Sequence, residues 1–145
     1  MLLLSWLSLL LLIPAALSKT KKNIDIIDLK TDITYSPSMC TEKAEPGDTI
    51  RVHYTGRLYV NDQKFDSSFD RNAPFELTLG RGQVIKGWEE GLKGMCKNEK
   101  RTITIPADMA YGSRGFSDLI PPHSSLVFDV EMLNIKKGKP LHNEL

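Results

Sequence analysis

The chain has 145 residues, of which 19 are Lys or Arg and 18 are Asp or Glu, for a formal net charge of +1. That length supports one domain with a real core and is too short for two. A near-neutral balance argues against a nucleic-acid surface, because phosphate recognition needs clustered positive charge.

Residues 1–18, MLLLSWLSLLLLIPAALS, carry none of those charges. The apolar core from Leu2 to Leu17 falls short of the roughly 20 residues that a membrane span needs, and Ala16 and Ser18 offer the small side chains a signal peptidase accepts. A signal peptide over 1–18, cleaved after Ser18, is expected. Because no Lys or Arg precedes the apolar run, an uncleaved signal anchor is the alternative. Basic residues then cluster at Lys19–Lys22 and again at Lys136–Lys139, and both runs read as solvated.

Glu45-Pro-Gly-Asp48 marks a turn. Beyond it, Ile50, Val52 and Tyr54 alternate with Arg51, His53 and Thr55, the period of a strand with one buried face. In QVIKGWEEGLKGM (83–95) the period changes: Val84, Ile85, Trp88 and Leu92 recur at helical spacing, so one short amphipathic helix is predicted there. Its glycines are poor helix formers, so packing of Trp88 has to hold it. Arg101-Thr-Ile-Thr-Ile-Pro106 is a strand that stops at proline, and Ser113–Asp118 forms a turn. Leu126, Phe128, Val130 and Met132 alternate with Asp129 and Glu131 in a further strand, so most of the domain is antiparallel sheet. The last four residues, His142, Asn143, Glu144 and Leu145, resemble the tetrapeptide by which a receptor returns proteins to the endoplasmic reticulum.

Several chemistries are set aside. Gly80-Arg-Gly82-Gln-Val-Ile85 is half a dinucleotide fingerprint, but Ile85 stands where the third glycine belongs and no βαβ pattern surrounds it. His53, His123 and His142 are scattered, and no hydrolase constellation is apparent. The two cysteines, Cys40 and Cys96, lack the companion spacing of a zinc site, so no metal is expected. In a compartment reached through a signal peptide they are expected to pair with each other; the alternative is that both are free and buried. No Asn-x-Ser/Thr acceptor occurs.

Aromatic residues concentrate in a few motifs: Val52-His-Tyr-Thr-Gly56, Phe65-Asp-Ser-Ser68, Val84-Ile-Lys-Gly-Trp88, Ala110-Tyr-Gly112, Ile120-Pro-Pro122 and Leu126-Val-Phe-Asp-Val-Glu131. In order and spacing these resemble the FKBP-type peptidyl-prolyl cis-trans isomerases, also called immunophilins or rotamases. The resemblance implies an α+β fold: an antiparallel five- to six-stranded β-sheet, a half-barrel, wrapped around one short α-helix. It leaves 19–39 as an N-terminal extension that forms an extra strand, 40–136 as the isomerase domain and 137–145 as a tail. Cys40 and Cys96 match the paired cysteines of secretory-pathway members.

The implied site is an apolar pocket with no nucleophile. Tyr54, Asp66, Trp88 and Tyr111 would be its catalytic residues, with Trp88 as the floor. Phe65, Phe75, Val84, Ile85 and Phe128 would form walls, Arg71 would hydrogen-bond with Asp66, and Phe116 and Ile120 would contribute from the loop above. The Ile85 amide and the Tyr111 hydroxyl resemble the family's donors to ligand carbonyls. The family binds proline-containing polypeptides and the macrolides tacrolimus and rapamycin, and uses no cofactor. Departures from its pattern are Phe116, Ser117-Asp118 and Gln83. Address and resemblance together imply a monomeric isomerase of the endoplasmic reticulum lumen, met there by the retrieval receptor and without a membrane span after cleavage. The alternative, from another class, is a proline-binding chaperone or adaptor module without turnover.

Overall fold

The computed structural model describes residues 18–139. The leader reading therefore lies, Ser18 apart, outside the described residues, as does the tetrapeptide His142–Leu145. Among the described residues no helix is long and apolar enough to cross a membrane.

Six strands and one helix follow one another: β1 (Lys30–Tyr35), β2 (Thr49–Leu58), β3 (Lys64–Ser67), β4 (Phe75–Thr78), α1 (Lys86–Gly91), β5 (Lys100–Ile105) and β6 (Leu126–Lys136). They form one antiparallel sheet in the order β1-β5-β6-β2-β3, with β4 also paired to β2. The architecture is thus the α+β half-barrel expected above. β1 comes from the segment before Cys40, and every residue of it is exposed at the edge of the sheet.

The long central pair sets the frame. β2 and β6 run side by side from Thr49↔Lys136 to Leu58↔Leu126, placing Tyr54 opposite Val130 and Gly56 opposite Phe128. Alternation along β2 buries Ile50, Val52, Tyr54 and Leu58 on the concave face. They meet Leu92 of the post-helix turn, Ile103 and Ile105 of β5 and Leu126 and Met132 of β6 in one apolar cluster. Each such side chain contributes about 1.5–3 kcal/mol of transfer free energy when fully buried.

The helix is shorter than predicted. It covers Lys86–Gly91, and Val84 and Ile85 precede it in extended backbone, with Ile85 at the N-cap without a side-chain cap. Gly82 and Gly94, with φ of 66° and 74°, adopt the left-handed conformation and bracket the element. The glycines inside it have a packing reason. A Cβ on Gly87 would collide with Ile105, and one on Gly91 would sit 3.2 Å from Ile103. The helix lies with its backbone on β5, so contact rather than propensity stabilises it.

The basic run at the end of β6 is not simply solvated. Lys137 Nζ donates to Asp48 Oδ2 at 2.6 Å and to the Lys43 carbonyl at 3.0 Å, while Gly138 N–H donates to Asp48 Oδ1 at 3.0 Å. Asp48 is only 3% exposed, so its charge is compensated inside the turn where the chain enters β2. Cys40 and Cys96 form a disulfide with Cα atoms 5.6 Å apart, tying the approach to β2 to the turn before β5.

Candidate active site

The concave face holds a cavity of about 290 Å³ lined by Tyr54, Phe65, Asp66, Phe75, Gln83, Val84, Ile85, Trp88, Tyr111 and Phe128. Trp88, 4% exposed, forms the floor. Its indole meets Tyr54 edge-to-face at 5.0 Å between centroids, Phe128 at 5.3 Å and Phe75 at 6.0 Å, so three walls stand nearly perpendicular to one platform. Such T-shaped pairs favour the ring quadrupoles and lock the rotamers. Phe65 closes the same side against Phe128 at 5.6 Å.

The space exists because of a glycine. At Gly56 an added Cβ would lie 2.7 Å from ring atoms of both Phe65 and Phe128. Sequence reasoning left Gly56 out of the site, although a glycine within a strand pattern is itself a sign of close approach.

Polar groups on one side of the cavity are spent on one another. Tyr54 Oη donates to Asp66 Oδ2 at 2.5 Å, Arg71 Nη1 donates to Asp66 Oδ1 at 2.6 Å, and Arg71 Nη2 donates to Tyr54 Oη at 2.8 Å. Arg71 arrives through a 3₁₀ turn, Ser68–Arg71, that leaves the end of β3. Burial, and then the bond to Asp66, push the Tyr54 phenol up to about 12. Burial also pushes Asp66 upward, but the bonds from Tyr54 and Arg71 outweigh it and hold the carboxyl below its usual range. Arg71 is raised in turn, chiefly by its bond to Asp66. At neutral pH the trio is therefore a neutral phenol, a carboxylate and a guanidinium, with no proton poised to move.

Across the cavity the pattern reverses. Neither the Ile85 backbone N–H nor the Tyr111 hydroxyl has a hydrogen-bond partner among the described residues. The loop before α1 is braced from behind: Glu89 accepts from Gly80 N–H at 2.5 Å and Gly82 N–H at 3.2 Å, and Gln83 Oε1 accepts from Thr78 N–H at 3.0 Å. That bracing turns Val84 and Ile85 toward the cavity. Burial, with Asp66 nearby, raises the Tyr111 phenol and keeps it a donor.

The remaining sequence-derived residues are placed differently. Phe116 packs obliquely on Tyr111 at 5.2 Å but stays 52% exposed outside the cavity lining. Ile120 does not line the cavity: it is 2% exposed and belongs to the core, because its backbone pairs with Phe116 in a small closed turn that points the side chain inward. Gln83, noted in the sequence only as a departure, is part of the lining.

The family model for FKBP-type peptidyl-prolyl cis-trans isomerases matches residues 40–133. The chain belongs to that family. FK506-binding protein 2 of Candida glabrata is 47% identical over 135 residues, covering 92% of this chain and 96% of the relative. FK506-binding protein 2B of Rhizopus delemar is 55% identical over 102 residues, which are 70% of this chain but only 49% of that longer protein. The crystal structure of AtFKBP13 superimposes with a TM-score of 0.67 at 38% identity, over 75% of this chain and 93% of the other. Peptidyl-prolyl cis-trans isomerisation is the activity of this enzyme class, and proline-containing chains and FK506-type ligands are what the family binds. In this FKBP-type chain the aromatic cavity is the concave feature that collects the family's motifs.

Proposed function

We propose that the cavity between Trp88 and Tyr111 is where this enzyme twists Xaa-Pro bonds, in proline-containing proteins of the endoplasmic reticulum lumen. The observation that carries this reading is the division of polar groups: Tyr54, Asp66 and Arg71 satisfy one another, while the Ile85 N–H and Tyr111 hydroxyl remain open to a guest.

An Xaa-Pro amide resists rotation because resonance stabilises its planar forms, with a barrier of roughly 18–20 kcal/mol for peptide bonds. Twisting removes that resonance and makes the carbonyl less polar. A pocket walled by Tyr54, Phe75, Trp88 and Phe128 has little to offer the polar planar amide, and so favours the twisted one by comparison. The indole supplies a flat platform for the pyrrolidine ring. The Ile85 N–H and the Tyr111 hydroxyl hold flanking carbonyls, converting binding into orientation. Asp66 transfers no proton in this scheme, because amide rotation requires none; its role is to fix Tyr54.

The address rests on residues 1–18 and His142–Leu145, read as leader and retrieval signal. Tacrolimus and rapamycin are the proposed inhibitors, supported by the FK506-binding names of the relatives and by a cavity of the right character. The deciding experiment is isomerisation of a short Xaa-Pro peptide with and without tacrolimus, beside Trp88→Leu. Drug-sensitive catalysis that falls in the variant supports the reading, whereas catalysis indifferent to both would remove the cavity from the mechanism. Secretion of a reporter carrying the His142–Leu145 tail, rather than its retention, would overturn the address.

A further inference from the structure

β2 has an uncovered stretch on the side away from β6. β3 pairs with Thr55, Gly56 and Arg57, and β4 pairs with Thr49 through Val52, so neither strand reaches His53 or Tyr54. The chain loops away there through the Ser68–Arg71 turn. A buried strand cannot leave its backbone groups unpaired without cost. Here side chains take the place of the missing strand: Ser68, 0% exposed, accepts the Tyr54 N–H at 2.8 Å through its Oγ, while Ser67 Oγ donates to the Tyr54 carbonyl at 3.1 Å and Ser68 Oγ lies 3.3 Å from it. Ser68 Oγ is also 2.8 Å from His53 Nδ1, on the opposite face of the sheet. The imidazole is in turn stacked on Phe69, with centroids 4.3 Å apart and planes 14° from parallel.

We propose that Ser68, steadied by His53, is a positioning residue for isomerisation. It sets the backbone of Tyr54, and so the angle at which the phenol meets Asp66 and the pocket floor. The inference rests on the reading that the Tyr54 side of the cavity serves catalysis. Its geometry gives a reason for the break between β3 and β4. A continuous strand would satisfy Tyr54 but would leave no turn to deliver Arg71. With the break, the Ser67 and Ser68 hydroxyls replace the strand, Ser68 alone taking the Tyr54 N–H, and the turn carries the guanidinium to Tyr54 and Asp66. His53 and Phe69, on the outer face, become the support of an inner-face group.

The test is a double-mutant cycle on the full chain with a short Xaa-Pro peptide as substrate. Ser68→Ala is expected to lower kcat/KM about five-fold in the parent and less than about two-fold in a Tyr54→Phe background, since the hydroxyl it positions is then absent. Equal losses in both backgrounds, or none in the parent, would overturn the proposal. Failure of the underlying reading looks different: Tyr54→Phe and Trp88→Leu would each keep parental activity. Should Ser68→Ala not fold, half-buried His53 supplies the second arm. His53→Asn keeps a polar atom near the place of Nδ1 and is expected to retain parental kcat/KM. His53→Phe keeps the ring on Phe69 but loses that atom, and is expected to fall about three-fold. Identical behaviour of these two variants would also overturn the proposal.

Discussion

The Tyr54 phenol and the Asp66 carboxylate lie 2.5 Å apart, the first on β2 and the second on neighbouring β3. The carboxylate makes Tyr54 harder to ionise while Tyr54 makes Asp66 easier to ionise, so the pair drives its two protonation equilibria apart. With Arg71 bridging both, the trio keeps one charge state over a wide range of pH.

Isomerase activity is accordingly expected to be flat from about pH 6 to pH 9, where an ordinary carboxyl is already ionised and a Tyr at about 12 is still neutral. Asp66→Asn should lower kcat/KM roughly three- to ten-fold across that whole range without introducing a new inflection. A pH–rate profile measured by peptide isomerisation checks both statements.

Gly56→Ala should close the cavity without touching any polar group. A methyl 2.7 Å from the Phe65 and Phe128 rings forces one of them into the space a ligand would occupy. Overpacking of this kind costs about 1–3 kcal/mol of stability. The expected result is a folded protein with a modestly lower melting temperature and at least a ten-fold loss of tacrolimus affinity by titration calorimetry.

Asp48 contributes to the acid limb of stability. Burial pushes its carboxyl up, but the bonds from Lys137, Gly138 and Glu45 prevail and lower it below its ordinary value. A carboxyl depressed on folding stabilises the protein fully above its unfolded value of about 3.9, and that contribution disappears as pH falls through the folded value. Asp48→Asn should cost about 2 kcal/mol at neutral pH and make the loss of stability below about pH 4 shallower. Urea unfolding at a series of pH values measures it.

Reducing the Cys40–Cys96 bond should cost about 4 kcal/mol in the chain-entropy model, given a sequence separation of 56. The denaturant midpoint should fall when reductant is added, and the reduced protein should agree with the Cys40→Ser, Cys96→Ser double variant.

The long strands could be read from the chain because β2 and most of β6 alternate between buried and more exposed positions, and β5 alternates Thr with Ile before it stops at Pro106. β3 and β4, four residues each, are too short to show a period. The helix was overdrawn for a physical reason. Val84 and Ile85 are apolar because the cavity needs them, and cavity walls one turn before Trp88 look in sequence like the continuation of its buried face. The Tyr54, Asp66 and Arg71 grouping was visible only through resemblance, since Arg71 reaches its partners by a turn that propensity does not specify. Ile120 shows the converse: a position that resembles a pocket wall became core when the Phe116–Ile120 turn closed on itself.

The disulfide has a topological consequence. Tyr54, Phe65, Asp66, Phe75, Val84, Ile85 and Trp88 all fall between Cys40 and Cys96, whereas Tyr111 and Phe128 come from outside that span. A protease that nicks the exposed hairpin at Asn61–Lys64 would therefore leave two pieces still joined as a single covalent body, with most of the cavity wall in place. Such a nicked molecule would migrate as one species until reductant released its halves.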